Sequence, residues 1–306
     1  MSLNIVFMGT PEFSVPTLDA LIENKFNIIC AYTQCPKKSK RGQKVNPSSV
    51  EEFCKKNKIN FKNPTNLNNE KEFKIFKELF PDIVVVVAYG QLIPKNFLNI
   101  AKFGFINIHA SLLPKWRGAA PIQRAIMNED KKIGVSIMKI EEKLDSGPVL
   151  ASKEIELDQN AIHGEIEKKL SVVGANLLVE NLQKLESGNL KFIGQIHSEA
   201  TYAEKISKGE TKINWRLDAT KVLAHIHGLS PSPGAWFEYE NERFKVLCAN
   251  KFSASGNPGT LLDENLTVAC KSDAIQILEI QRQGKNKQSA KDFLLGKKIG
   301  KGSILT

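Results

Sequence analysis

Two polar residues, Asn107 and His109, alternate with Ile106 and Ile108 in the stretch Phe105-Ile106-Asn107-Ile108-His109. On a strand the side-chain period is two, so Asn107 and His109 share one face and the isoleucines take the other. Polar groups on one face of an α/β core need partners, because leaving one buried and unpaired costs about 1–3 kcal/mol. The pair also falls at the carboxyl end of its strand, where open α/β sheets place their ligands. An amide that donates and a ring that titrates are the material of electrostatic and acid–base catalysis. The plain alternative is a structural Asn and His, hydrogen-bonded in support of the next loop.

The next segment, Ala110-Ser111-Leu112-Leu113-Pro114-Lys115-Trp116-Arg117-Gly118-Ala119-Ala120-Pro121, leads into a helix. Its Leu, Pro and Trp stand where a surface loop is normally polar. Such a loop can wall a pocket for a flat organic ligand, or pack on its own domain. Further on, Asp145 lies in Glu141-Glu142-Lys143-Leu144-Asp145-Ser146-Gly147-Pro148, just past a strand expected over Ile133–Ile140. That strand is expected to end at the carboxyl edge of the sheet, which would let Asp145 approach His109. A carboxylate beside an imidazole favours the charged ring and fixes its orientation.

The elements that must position these residues alternate between strand and helix. Strands are expected over Leu3–Met8, Asn27–Thr33, Phe105–His109 and Val149–Leu157. Helices are expected over Pro16–Asn24, Ser48–Lys58, Asn69–Phe80, Ala119–Asn128 and Ile162–Lys184. The run Ile83-Val84-Val85-Val86-Val87-Ala88 is apolar throughout and rich in β-branched residues, as a central parallel strand covered on both faces must be. This order implies a doubly wound α/β domain with a mostly parallel sheet over residues 1–190. Ser187–Lys212 has Gly188, Gly194 and Gly209 among Lys, Glu and Ser and no sustained apolar period, so 191–207 reads as a linker. Residues 208–306 carry one helical segment, Ala219–His227, then short strand-like runs. Turns are expected at Glu240-Asn241, Ser255–Gly259 and Gln283–Asn286. That pattern suggests a small β-barrel, OB-like.

Composition narrows the function class. The chain has 306 residues, 42% of them hydrophobic and 25% charged, which suits a globular protein of two domains. There is no run of about 20 apolar residues, so no membrane span is expected. The first residues enter a strand without the basic and apolar regions of a signal peptide. The five cysteines are scattered and form no C-x-x-C pair. A soluble, reduced, cytoplasmic chain with no structural zinc is the reading. Gly9-Thr10-Pro11 is not a dinucleotide fingerprint, since no second glycine follows. His225-x-His227 is a poor metal site, because residues two apart diverge on a helix. His163 and His197 read as ordinary exposed or helix-end histidines. The net charge of +10 favours a polyanionic partner, either nucleic acid or a phosphorylated substrate. Lys outnumbers Arg, which suits diffuse phosphate attraction better than base readout.

Taken together, Asn107-x-His109 running into Ser111-Leu112-Leu113-Pro114 and Arg117-Gly118, with Asp145 beyond, resembles the formyltransferases that use 10-formyltetrahydrofolate. The resemblance covers the whole chain. The opening Phe7-Met8-Gly9-Thr10-Pro11-Glu12-Phe13 is similar to the methionyl-tRNA formyltransferase branch. So are Val86-Val87-Ala88-Tyr89-Gly90, Ala119-Ala120-Pro121-Ile122-Gln123-Arg124, Thr201-Tyr202-Ala203-Glu204-Lys205-Ile206, Ile213-Asn214-Trp215 and Gln281-Arg282-Gln283-Gly284-Lys285. The resemblance implies Asn107, His109 and Asp145 as the catalytic set. It implies formyl transfer through a tetrahedral oxyanion, with no covalent enzyme intermediate and no metal. It implies that 10-formyltetrahydrofolate binds near Val87, Tyr89, Gly90 and Leu92, beside Ser111, Leu112, Leu113 and Pro114.

The same constellation serves several acceptors. The basic segment Gln34-Cys35-Pro36-Lys37-Lys38-Ser39-Lys40-Arg41-Gly42-Gln43-Lys44 sits where the family inserts a loop at the acceptor end of tRNA, and Arg41-Gly42 matches the core of that loop. Cys35-Pro36-Lys37-Lys38 departs from the usual proline- and acid-containing stretch. Lys38, Lys40, Arg41 and Lys44 become candidate tRNA contacts through phosphate attraction; otherwise the run is a solvated charged face. A basic C-terminal domain also has a reason to exist if the acceptor is RNA. Its candidate phosphate contacts are Lys205, Lys208, Lys212, Lys245, Lys251, Lys285 and Lys287. The expected partner is methionyl initiator tRNA and the expected state a monomer. An amino-sugar nucleotide acceptor is the alternative.

Overall fold

A computed structural model describes residues 3–39, 44–186 and 191–306. Contacts divide the chain into two compact units. One comprises Met1–Gly118, Gly134–Glu154 and Glu167–Tyr202. The other comprises Ala119–Ile133, Ile155–Ile166 and Ala203–Thr306.

The first unit is built on a seven-stranded sheet. Its strands are β1 (Asn4–Gly9), β2 (Asn27–Tyr32), β3 (Phe61–Lys62), β4 (Ile83–Val87), β5 (Phe105–His109), β6 (Lys132–Lys139) and β7 (Val149–Glu156). They lie in the order β7-β6-β5-β4-β1-β2-β3. The pairs β1–β2, β1–β4, β2–β3 and β4–β5 are parallel. All five residues of β4 are buried, as a run apolar on both faces requires. Helices α1 (Val15–Glu23), α2 (Ser49–Asn57), α3 (Glu70–Lys77), α4 (Pro121–Met127) and α5 (His163–Glu186) alternate with the strands in the chain. Helix α2 starts on a capping pattern: Ser48 Oγ accepts from the Glu51 N–H, three residues on. Asn69 does the same for α3 through the Glu72 N–H. The ring of Phe76 on α3 packs against Tyr32, Phe97 and Phe105 at centroid distances of 5.1–5.9 Å, which fastens the helix to the strands.

One edge departs from the parallel rule. Strand β6 is antiparallel to β5, with Ile106 opposite Lys139 and His109 opposite Ser136. The carboxyl end of β6 therefore lies beside the beginning of β5, not beside His109. This corrects the route expected for Asp145. The 140–148 loop leaves at the opposite edge and folds back to reach the imidazole. Gly147 marks the tight return, since a Cβ there would overlap the Lys139 carbonyl.

In the second unit, α6 (Ala219–Leu229) packs on an antiparallel sheet of β8 (Ala235–Tyr239), β9 (Glu242–Phe252), β10 (Thr267–Ala269), β11 (Ala274–Arg282) and β12 (Lys287–Ser289), followed by α7 (Ala290–Gly296). Glu240 and Asn241 both have positive φ, 50° and 59°, and form the two-residue turn between β8 and β9. Register shifts between Val246 and Ala249 bend β9 and curl the sheet into a half-barrel. Its core stacks Phe237 on Phe244, with ring centroids 5.4 Å apart, and sets Phe293 edge-on against Phe244. Helix α4 belongs to this unit: Gly228 on α6 leaves room for Met127 and the Gln123 carbonyl.

Candidate active site

The site is at the carboxyl end of β5, and all its members belong to the first unit. His109 is buried, and its Nε2 lies 2.8 Å from the Trp116 carbonyl oxygen. A carbonyl only accepts, so Nε2 carries the hydrogen. The other nitrogen, Nδ1, faces Asp145 Oδ2 at 3.6 Å. At 3.6 Å this is an ion-pair contact longer than a hydrogen bond: a proton on Nδ1 would face the carboxylate, and without one two acceptors face each other. Asp145 Oδ2 also accepts from the Gly118 N–H at 2.8 Å. The backbone at 116–118 thus touches both members of the pair. It is itself held by Thr201, whose Oγ1 accepts from the Trp116 N–H and whose carbonyl accepts from the Arg117 N–H.

Asn107 shares the strand face of His109, as the alternation requires. It is half-buried, and its amide has no hydrogen-bond partner among the described residues. Two N–H donors are therefore available one strand period from the imidazole.

The loop after β5 is shaped by its own hydroxyls. Ser111 Oγ donates to the Lys115 carbonyl, Ser136 Oγ donates to the Ser111 carbonyl, and Ser136 Oγ accepts from the Leu113 N–H. Leu112, Leu113 and Pro114 remain half-buried on this frame. Val86 pairs with Asn107, so the chain after β4 leaves the sheet alongside the site. There the Val87 carbonyl accepts from Ser14 Oγ, and the Tyr89 carbonyl accepts from Thr10 Oγ1 and Gln34 Nε2. This explains the Gly9-Thr10-Pro11 turn, which clamps the 87–90 backbone. Gly90 has φ +78°, and a Cβ there would overlap the Gln34 amide. Tyr89 is buried, whereas Leu92 is 90% exposed.

Gln195 and Arg117 are further parts of the site, with no role evident from the sequence alone. Gln195 Nε2 donates to the carbonyls of Asp145 and Gly147, and its Oε1 accepts two N–H bonds from Arg117. Gln195 sits in a stretch with no periodic pattern, so nothing in the sequence signals it.

The candidate tRNA contacts fare differently. Lys40 and Arg41 lie outside the described residues. Lys38 and Lys44 belong to a short antiparallel hairpin, Lys37–Ser39 with Lys44–Asn46, and their side chains are also outside what is described. In the second unit Lys212, Lys251 and Lys287 are paired with Glu238, Asp273 and Glu279. Lys205, Lys208, Lys245 and Lys285 make no ion pair among the described residues. His225 Nε2 lies on the Glu210 carbonyl and His227 between the Gln159 and Ala249 carbonyls. His163 begins α5 but is buried, not exposed, with an unpartnered Nδ1; burial pushes its pKa down to about 4. His197 is exposed and accepts from Arg117 on Nδ1. Among the described residues no cluster of three His, Cys, Asp or Glu could hold a metal ion, and no helix is long and apolar enough to cross a membrane.

Residues 3–182 match the family model for formyl transferase, and residues 205–298 match the model for the formyl transferase C-terminal domain. A methionyl-tRNA formyltransferase of Pelagibacter ubique is 47% identical over the whole of this chain and 99% of its own length. One from Chelativorans is 43% identical, with both chains covered in full. Among solved structures, HypX from Aquifex aeolicus in complex with tetrahydrofolic acid aligns with a TM-score of 0.67 at 17% identity, over 96% of this chain and 47% of that one. A methionyl-tRNA formyltransferase from Clostridium thermocellum aligns with a TM-score of 0.57 at 17% identity, over 81% of this chain and 93% of that one. At that identity the structural likeness is one of fold. Both models are met in order, and curated relatives named methionyl-tRNA formyltransferase span the full length, so the chain belongs to the formyltransferase family.

Proposed function

We propose that this protein transfers the formyl group of 10-formyltetrahydrofolate to the amino group of methionyl initiator tRNA, the step that prepares that tRNA for translation initiation. The observation that carries the reading is the His109–Asp145 pair, 3.6 Å apart, beside an Asn107 amide with no partner of its own. Formyl transfer builds negative charge on the formyl oxygen, and that charge needs donors aimed at it. Asn107 supplies them. His109, held by the Trp116 carbonyl, presents its Nδ1 edge to Asp145, and the two carry the proton that the attacking amine gives up. As the new C–N bond forms, the bond to the donor nitrogen breaks and that nitrogen gains the proton, so charge and atoms balance. The half-buried apolar surface of Leu112, Leu113 and Pro114 fits a flat pterin, and the clamped 87–90 backbone offers it a rigid edge.

In the same reading 1–190 is the catalytic domain, 191–207 the linker and 208–306 the tRNA-binding domain. Arg41, Lys40, Lys38 and Lys44 meet the acceptor end of the tRNA. The protein works as a monomer in the cytoplasm. One assay tests the acceptor: purified protein with 10-formyltetrahydrofolate and either methionyl initiator tRNA or amino-sugar nucleotides. Formyl-methionyl-tRNA is expected. Formylated sugar without formyl-methionyl-tRNA would replace the reading with an amino-sugar enzyme.

A further inference from the structure

We infer that Gln195 is a positioning residue for the reaction, fixing the Asp145 loop so that its carboxylate meets His109. The inference rests on the proposed role of Asp145. That residue needs an external hold. It has φ +46°, a left-handed conformation that non-glycine residues adopt at a cost. Its loop comes from a strand that ends beside Ile106, at the wrong edge of the sheet.

Gln195 supplies the hold from a distant part of the chain. Its Nε2 donates to the Asp145 carbonyl at 2.9 Å and to the Gly147 carbonyl at 2.7 Å. Its Oε1 accepts from Arg117 Nη2 at 2.7 Å and Nε at 3.1 Å. The direction of the amide is forced, because carbonyls only accept and a guanidinium only donates. Arg117 is 4% exposed and makes no ion pair with a carboxylate among the described residues, so its charge is spent on Gln195 and His197. The circuit closes through three consecutive residues: the Trp116 carbonyl holds the imidazole, the Arg117 side chain holds Gln195, and the Gly118 N–H holds the carboxylate. Gln195 touches neither reacting partner's ring nor carboxylate, and it acts only through the main chain of the loop.

Two variants and one cycle test this. Gln195→Glu keeps an oxygen for Arg117 but sets a second oxygen against the two carbonyls; Gln195→Ala removes both contacts. Each is expected to lower kcat by about ten- to a hundredfold, the scale of a misplacement near 1 Å. KM for both substrates should stay within about twofold, since uniform binding is untouched. Combined with Asp145→Asn, Gln195→Ala should cost almost nothing further, because its effect passes through that carboxylate. Unchanged kcat in folded Gln195→Glu and Gln195→Ala, a loss confined to KM, or a full additive loss in the Asp145→Asn background overturns the inference while the site reading stands. Full turnover in Asp145→Asn alone overturns both.

Discussion

The end of β5 and the inner face of α6 both bury histidines, and they use them in opposite ways. His109 has one nitrogen fixed on a carbonyl and the other turned toward a carboxylate. His227 lies between two backbone carbonyls, Gln159 3.4 Å from Nδ1 and Ala249 3.1 Å from Nε2; burial lowers its pKa and so favours the neutral ring, whose single N–H donates to one of them. His225 rests on the Glu210 carbonyl, and burial lowers its pKa too. In the second unit the rings close gaps in the backbone hydrogen bonding. In the first, one nitrogen is left with something to exchange. A buried histidine is therefore read by what faces its second nitrogen, not by burial.

The sharpest way to break this contrast is at the first region. Asn107→Ala, which removes the aimed donor, and Asp145→Ala, which removes the carboxylate facing His109, should each lower turnover at least about a hundredfold, with the fold retained by circular dichroism. Intact turnover in both would make β5 as structural as α6. Conversely, His227→Phe should cost about 2 kcal/mol of stability by orphaning a buried carbonyl, seen as a lower denaturation midpoint, with kcat unchanged. A drop in kcat at full folding would move His227 out of the structural class.

His163 gives a smaller, pH-dependent test. Its pKa falls from 6.5 to about 4 on folding, so the unfolded chain binds the extra proton between those values. Stability is then full above pH 6.5 and falls as pH drops toward 4. The loss should reach about 1 kcal/mol between pH 7 and 5.5. In His163→Gln that slope should flatten; an unchanged slope would assign it to other groups. Smallest is the Arg124–Glu210 pair beside α6, at 3.0 Å and partly exposed. Its hydrogen bond from Arg124 lowers the Glu210 pKa, so the stability it adds is present above the ordinary carboxylate range and lost as pH falls through the lowered value. Glu210→Gln should cost less than about 1 kcal/mol.

The legible parts of the molecule are those set by local periodicity. Ile83–Val87 announced a central strand because only burial on both faces tolerates such a run. Asn107 and His109 announced a shared face because a strand alternates. Glu240-Asn241 was readable as a turn through Asn241, a residue type that tolerates positive φ. Strand direction was not readable: Ile133–Ile140 looks the same running either way, and the expected route for Asp145 was wrong although the meeting was right. Gln195 was invisible for another reason. A single polar side chain in an aperiodic stretch carries its meaning only through the two carbonyls that the fold brings to it.

The reversed strand β6 has a consequence for heat. A carboxylate delivered by a loop folding back from the far edge is kept in place by side-chain hydrogen bonds, while the parallel strands are kept by a buried core. Structures open locally with free energies well below that of global unfolding, and the least anchored segments open first. Warming should therefore silence the enzyme before it melts the sheet, and cooling should restore it without refolding.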